Sequence, residues 1–462
     1  MRQPKIGLLP LYLALYDKAL PDARARIDGF RETIALELTK RGMDIVAAPV
    51  CRIAAEFEAA VESFEDARAD AIVTLHLAYS PSLESAGTLA RTKLPLIVLD
   101  TTPTYAYGPT QDPNELMYNH GIHGVQDLCN LLIRNGKAFQ IEAGHWEKSD
   151  VLDRIAAWAA AARLASSMRS ARVGRIGEPF KGMGDFAVPP EVLADLGIRV
   201  FPTDFAQLRS LLPPEDDAEV RAEIQADLNR FAHDGVDAAA HLATARASLA
   251  VRQWIEKHEL TAFSMNFDAI DESSGMPTVP FLEASKAMSR GIGYAGEGDV
   301  LTAALVGALA SAYPETSFTE MFCPDWESGA VFMSHMAEIN PDLCAGTPVL
   351  MKKPMPWVAA GDPVVAVGRF KAGDAVLVNL APRGGNEFAL IVAPVAVMDV
   401  PGEDRMTDAI RGWIKPGLPL ADFLERYSRE GGTHHSAIVY GNVAQDMVRF
   451  AAMMGWRSVV LK

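Results

Sequence analysis

The side chains best suited to chemistry are two glutamates and three histidines in the last third of the chain. Glu297 sits in Gly296-Glu-Gly-Asp299, a carboxylate between two glycines just ahead of an apolar run that begins at Val300. Glycines let the backbone approach a ligand closely and adopt φ > 0. A carboxylate at a helix N-terminus is also favoured by the helix dipole. The plainer reading of the same residues is that Asp299 caps the helix and Glu297 is solvated. Glu320 lies in the apolar stretch Ser317-Phe-Thr-Glu-Met-Phe322, and His335 in Phe332-Met-Ser-His-Met-Ala-Glu338. His434 and His435 are adjacent in Gly431-Gly-Thr-His-His-Ser436. Positions 297, 320, 335 and 435 are separated by 23, 15 and 100 residues. None of these is a local metal pattern such as HExxH, so spacing does not establish proximity. By type, two carboxylates and two imidazoles suit a divalent ion of intermediate hardness. Carboxylates favour Mg and Mn, whereas imidazoles pull toward Mn, Fe, Co or Zn. A histidine between apolar residues, like His335, is more often a satisfied core residue.

Gly291-Ile-Gly-Tyr-Ala-Gly296 satisfies GxGxxG. A dinucleotide fingerprint needs a strand before it and a helix after it. Here Phe281, Leu282, Ala284, Ala287 and Met288 precede it at helical spacing, so the motif reads as a glycine-rich loop between two helices. An NAD-dependent oxidoreductase is a competing reading that titration with NADH would decide.

The elements that must position these groups follow from the apolar pattern. Ile6-Gly-Leu-Leu, Met43-Asp-Ile-Val-Ala-Ala, Ala71-Ile-Val-Thr-Leu and Pro95-Leu-Ile-Val-Leu-Asp100 are short runs without alternation. Amphipathic segments over 23–41, 54–68 and 83–91 separate them. That is the signature of βαβ units around a buried parallel sheet. Residues 149–168 read as a long helix, and Val173-Gly-Arg-Ile-Gly restarts the strand pattern. Long helices follow over 217–234 and 237–258. Val364 to Phe370, Asp374 to Leu380 and Glu387 to Val392 are β-rich and separated by Gly, Pro and Asn, which suggests an antiparallel sheet or barrel. The expected architecture is two Rossmann/flavodoxin-like α/β domains, 1–170 and 171–316, followed by a β-rich C-terminal domain, 317–462.

Composition narrows the function classes. The 462 residues carry a formal net charge of −16, which argues against a general nucleic-acid binder. Four cysteines without a CxxC pair exclude a disulfide scaffold and a zinc ribbon. They fit packing residues in a reducing, cytoplasmic setting. The apolar run Val300 to Tyr313 is too short to span a bilayer and reads as a buried helix. Residues 5–9 read as a first buried strand that ends in a loop at Pro10, in preference to the core of a signal peptide.

Taken in order, these motifs resemble the L-arabinose isomerase family of metal-dependent aldose–ketose isomerases. The resemblance rests on Gly296-Glu-Gly-Asp299 with Thr302-Ala-Ala-Leu305, Ser317-Phe-Thr-Glu320, Ser334-His-Met336 with Glu338, and Gly431-Gly-Thr-His-His435. Weaker matches are Met117-Tyr-Asn-His-Gly-Ile-His-Gly124, Gly144-His-Trp146, Arg175-Ile-Gly-Glu178 and Ala262-Phe-Ser-Met-Asn-Phe267.

The resemblance implies a divalent metal, Mn²⁺ first and otherwise Co²⁺ or Mg²⁺, held by Glu297, Glu320, His335 and His435. Glu297 and Glu320 would be the paired acid and base that carry an aldose to a ketose through a cis-enediol. His434 would face a monosaccharide, Phe267 would line its pocket, and His123 and His120 would contact it. His123 matches a residue that the family supplies from a neighbouring subunit of a homo-oligomer, a trimer or hexamer. Two family features differ. A substrate-contacting Gln segment is replaced by Leu8-Leu-Pro-Leu-Tyr-Leu13, and a second pocket Gln by His120. The wall that reads the sugar is therefore altered while the metal ligands are kept. A metal-dependent epimerase of the same fold and a non-catalytic sugar-binding protein are the alternatives.

Overall fold

The computed structural model describes residues 2–356, 358–399 and 402–462, which form two compact units divided after Ser166.

The first unit is built on a five-stranded parallel sheet. Its strands lie in the order Asp44–Ala47, Lys5–Leu11, Ala71–His76, Leu96–Asp100 and Phe139–Ala143. This 2-1-3-4-5 order is the flavodoxin-like one, and its direction reverses between the first and third strands in sequence. Helices Ala23–Lys40, Ala54–Asp66, Ser82–Arg91 and Ile122–Arg134 connect the strands. The whole of Ala71–His76 is buried, which is why it reads as an unbroken apolar run. The strand expected to stop before Pro10 continues to Leu11. Proline has no N–H to give, but its carbonyl still accepts from Cys51 N–H at 3.0 Å. The edge strand Phe139–Ala143 carried no signal in the sequence because it is half exposed and polar at alternate positions.

Among the described residues the second unit contains two larger sheets and a two-stranded antiparallel one, Val349–Lys352 with Val364–Val367. Four parallel strands lie in the order Arg199–Thr203, Arg172–Ile176, Ala262–Met265 and Gly293–Gly296. The other larger sheet closes on itself. Gly373–Gly384, His435–Tyr440, Thr316–Asp325, Ala330–Ser334, Gly412–Pro416 and Glu387–Val397 pair in turn, and the last pairs back onto the first. Arg457–Val460 adds in parallel to Glu387–Val397. The helix Val300–Ala310 is buried on every side and packs on strands of both sheets, which explains its lack of amphipathicity. The long helices expected here span Ala218–Arg230 and Ala238–Lys257, and the helix of residues 149–168 spans Val151–Arg169.

Two expectations are corrected. The glycine motif is not a loop, because Gly293–Gly296 is a fully buried strand between helices Phe281–Ser289 and Val300–Ala310. Gly293 lets the strand lie against Gly307 and Ala303 of the following helix, so it carries no β-branched signature. Cys323 is exposed and is not a packing residue. No helix among the described residues is long and apolar enough to cross a membrane.

Candidate metal centre and active site

The five residues Glu297, Glu320, His335, His434 and His435 converge in the second unit. Ligand atoms of Glu320, His335 and His435 all lie within 4.8 Å of one another, as do those of Glu297, His434 and His435. His435 belongs to both groups and joins them.

The parallel sheet delivers one of the five and the barrel the other four. Glu297 directly follows the strand Gly293–Gly296, at the carboxyl end of the parallel sheet where α/β folds bind ligands. Its φ of 63° is left-handed, an uncommon state for a side chain with a Cβ. Hydrogen bonds to Met265 O and from Phe180 N–H, both 2.8 Å, hold that conformation. Gly298 continues the left-handed turn with φ 82°. The other ligands come from the barrel. Glu320 pairs across strands with His435 on one side and Ser334 on the other, and His335 follows Ser334 directly. Antiparallel register thus brings residues far apart in sequence together.

Both buried histidines are oriented by carboxylates behind them. His335 Nδ1 donates to Glu338 Oε2 at 2.8 Å, and Glu338 Oε1 accepts from the Tyr294 hydroxyl at 2.6 Å. His435 Nδ1 donates to Asp299 Oδ2 at 3.0 Å. Asp299 does cap the helix, accepting Thr302 N–H at 2.8 Å, but it does so while fully buried and holding His435. Glu297 is not solvated, since only 12% of its side chain is exposed. With each Nδ1 committed, each Nε2 is turned inward. His435 Nε2 is a buried atom without a hydrogen bond, 3.4 Å from Glu297 Oε2. A ring stack of Phe186 on His435 (5.2 Å, 10°) and edge contacts of Phe318 with His335 and His435 (4.7 and 4.9 Å) wall the cluster with apolar surface.

This arrangement fits a divalent cation. A carboxylate behind a histidine fixes its tautomer and raises its basicity, the usual support for a metal-ligating imidazole. The donor set of two carboxylates and two imidazoles suits an ion of intermediate hardness.

The electrostatics point the same way. Burial pulls His434 and His435 toward neutrality, yet Asp185 and Glu297 lift His434 to about 10, and Asp299 and Glu297 lift His435 to about 9. Burial opposes charge on Glu297, but the same histidines hold its carboxyl far below the usual range. Burial raises Glu320, with the histidines opposing it. Negative side chains thus draw positive charge to this point, and a bound cation would take the place of those protons.

The remaining expected residues lie elsewhere. Phe267 packs its ring 5.6 Å from Phe180, the residue that donates to the Glu297 carbonyl. His120 and His123 belong to the first unit, with rings 5.8 Å apart. His120 Nδ1 donates to Leu116 O at 2.9 Å, leaving Nε2 to accept from the Tyr16 hydroxyl at 3.0 Å. Tyr12 follows the first strand and Tyr79 the third, so this aromatic cluster borders the point where strand order reverses. Sequence reasoning missed Asp185, Phe186 and the Tyr294 hydroxyl. Only Tyr294 lies in a recognisable motif, Gly291-Ile-Gly-Tyr-Ala-Gly296, and there the glycines read as a loop.

Comparisons with known proteins identify the family. The L-arabinose isomerase central domain matches residues 216–312, and the L-arabinose isomerase C-terminal domain matches residues 315–457. L-arabinose isomerase of Shouchella clausii is 25% identical over 98% of this chain and 93% of its own. That of Geobacillus thermodenitrificans is 25% identical over 84% and 80%, and L-arabinose isomerase 1 of Bacillus licheniformis 27% over 76% and 72%. Among solved structures, a D-allose-bound solute-binding protein from Actinobacillus succinogenes covers 67% of this chain and 92% of its own. It does so at 13% identity and a TM-score of 0.18, which carries no argument. Through its central and C-terminal domains, and a relative that spans nearly its whole length, the chain belongs to the L-arabinose isomerase family of aldose–ketose isomerases.

Proposed function

We propose that this protein is a divalent-metal-dependent sugar isomerase that interconverts an aldose and a ketose through a cis-enediol. The observation that carries this reading is the pair of histidines, His335 and His435, each with Nδ1 tied to a buried carboxylate, and His435 clustered with both Glu297 and Glu320.

Glu297, Glu320, His335 and His435 are the proposed ligands, with Mn²⁺ the expected ion. A bound cation would supply Lewis-acid stabilisation of negative charge on the substrate oxygens. The protein does the rest. Moving a proton between C1 and C2 needs a base at one carbon and an acid at the carbonyl oxygen. Glu297 and Glu320 approach from opposite sheets and fill those two roles. His434, with Nε2 3.5 Å from Glu297 Oε2, faces the sugar. Phe186 and Phe318 keep water from the reacting carbons.

His120, His123 and Phe267 are proposed to bind sugar. In the family His123 would do so in a neighbour's site, which makes this a homo-oligomer, a trimer or hexamer. His120 and the segment Leu8-Leu-Pro-Leu-Tyr-Leu13 stand where the resemblance expects glutamine side chains. The sugar accepted therefore need not be L-arabinose. A neutral sugar asks for no electrostatic steering, so the charge of −16 serves solubility, in keeping with a cytoplasmic enzyme.

The test is to strip the protein with a chelator, restore Mn²⁺, Co²⁺ or Mg²⁺, and screen pentoses, hexoses and 6-deoxyhexoses for ketose formation. Activity should vanish with the metal, return on its addition, and be abolished by Glu297→Gln and by Glu320→Gln. Formation of an epimer without ketose would favour the epimerase. Turnover unaffected by metal removal would overturn the reading.

A further inference from the structure

Asp185 lies in the loop between the strand Arg172–Ile176 and the helix Pro190–Asp195. Its Oδ2 accepts two hydrogen bonds from one residue, the backbone N–H of His434 at 3.0 Å and the ring Nδ1 at 2.6 Å. On the other side of that ring, Nε2 lies 3.5 Å from Glu297 Oε2. The same loop places Phe186 on the His435 ring and Phe180 on the Glu297 carbonyl.

The backbone around His434 is held by other groups. Thr433 N–H donates to Asn379 Oδ1 at 3.3 Å, and the Thr433 carbonyl accepts the Tyr427 hydroxyl at 2.7 Å. What these bonds leave free is rotation of the His434 side chain, and Asp185 stops it. An ordinary surface Asp–His pair has little consequence. This pair differs because one oxygen grips both the backbone and the ring, and because the ring is spanned by carboxylates at both nitrogens.

We propose that Asp185 is a positioning residue for the isomerase reaction: it anchors His434 through Nδ1 so that Nε2 points at the space beside Glu297 where the sugar binds. The role is the one a carboxylate plays behind a catalytic imidazole, fixing which nitrogen faces the substrate, although here 38% of the Asp185 side chain is exposed. Asp185 touches none of the four proposed ligands, so it acts on substrate handling and not on holding the cation. The inference rests on the proposed function for the identity of the ligand that His434 meets.

The test is a double-mutant cycle of Asp185→Ala and His434→Ala, with Asp185→Asn as the isosteric control. On an aldose the wild type converts, Asp185→Ala should lower kcat/KM on the order of tenfold to a hundredfold, and Asp185→Asn should lose less. In the His434→Ala background, Asp185→Ala should cost nothing further. Mn²⁺ affinity by titration calorimetry should stay within about twofold of wild type in all three variants, against a displaced ligand's about 10–100-fold loss. Equal losses in both backgrounds, or loss of Mn²⁺ binding alongside activity, would overturn the proposal. A readout independent of turnover comes from ¹⁵N-histidine labelling. A hydrogen-bonded Nδ1–H signal assigned by its absence in His434→Ala should vanish in Asp185→Ala. If it persists, Asp185 does not anchor the ring. A wild type that converts no aldose, while this signal behaves as expected, would overturn the isomerase reading and leave the anchoring intact.

Discussion

Gly296 lies so close to His335 that a Cβ at position 296 would come within 2.6 Å of the ring Cε1 and 3.0 Å of Nε2. The glycine that ends the GxGxxG motif thus makes room for an imidazole of the barrel. Gly296→Ala should push the ring off its line to the cluster while leaving the buried strand intact. The expected outcome is a Mn²⁺ affinity reduced about 10–100-fold, the range for a disturbed ligand shell. Far-UV circular dichroism should be unchanged. Unaltered Mn²⁺ binding in this variant would mean His335 is not a ligand.

Glu338 is buried and takes hydrogen bonds from Tyr294, His335 and the Ala337 N–H. Burial works against its charge, and His335 outweighs it, holding the carboxyl below its usual range. Glu338→Gln removes the charge that keeps Nδ1 of His335 protonated and Nε2 free. Metal affinity should fall about tenfold or more, and Tyr294→Phe should fall less because the carboxylate remains. Calorimetric titration with Mn²⁺ ranks the two, and a larger loss for Tyr294→Phe would contradict this order.

His76 ends the buried strand Ala71–His76, and neither ring nitrogen makes a hydrogen bond. Burial pulls its pKa down to about 3, with Asp127 opposing. The folded state therefore keeps this ring neutral, while the unfolded chain takes up a proton below about pH 6.5. Stability is lost as pH falls from that value toward 3, at about 1.4 kcal/mol per pH unit for this group. His76→Gln removes the group that titrates. Relative to wild type it should gain about 2 kcal/mol between pH 7 and pH 5, read from denaturant midpoints. A difference that does not change with pH would refute the assignment.

Lys286 is buried between Glu223 and Asp227, with its Nζ 2.7 Å from Asp227 Oδ1. Asp227 also faces His241 at 3.2 Å, and Arg252 joins Glu223 to Glu283. The network ties the helices Ala218–Arg230, Ala238–Lys257 and Phe281–Ser289 together. Lys286→Met leaves Asp227 buried without its fixed cation, while Glu223 keeps Arg252, and should cost about 3 kcal/mol. Adding Asp227→Asn should recover part of that loss. Thermal unfolding of both variants tests this, and a silent Lys286→Met would show that the network does not bear on stability.

The sequence by itself determined the α/β then β-rich order of the chain, because parallel buried strands leave unbroken apolar runs, helices an amphipathic period, and barrel strands β-rich runs between turn residues. It also determined the chemical types available, since Glu297, Glu320, His335, His434 and His435 stand out against their neighbours. Gly293–Gly296 was not legible as a strand, because Gly293 serves close packing against a helix, Gly296 makes room for His335, and together they erase the β signature. Whether the five side chains meet was also undetermined by spacing. That was decided by strand register, which sets Glu320 opposite His435, and by the left-handed turn at Glu297, which faces the barrel. The carboxylates behind the histidines belong to the same class of information. Asp299 was visible as a helix cap, and only the tertiary structure gave its second oxygen to His435. Asp185 had no sequence signal at all, because a loop carboxylate acquires its role from the residue that folding brings to it.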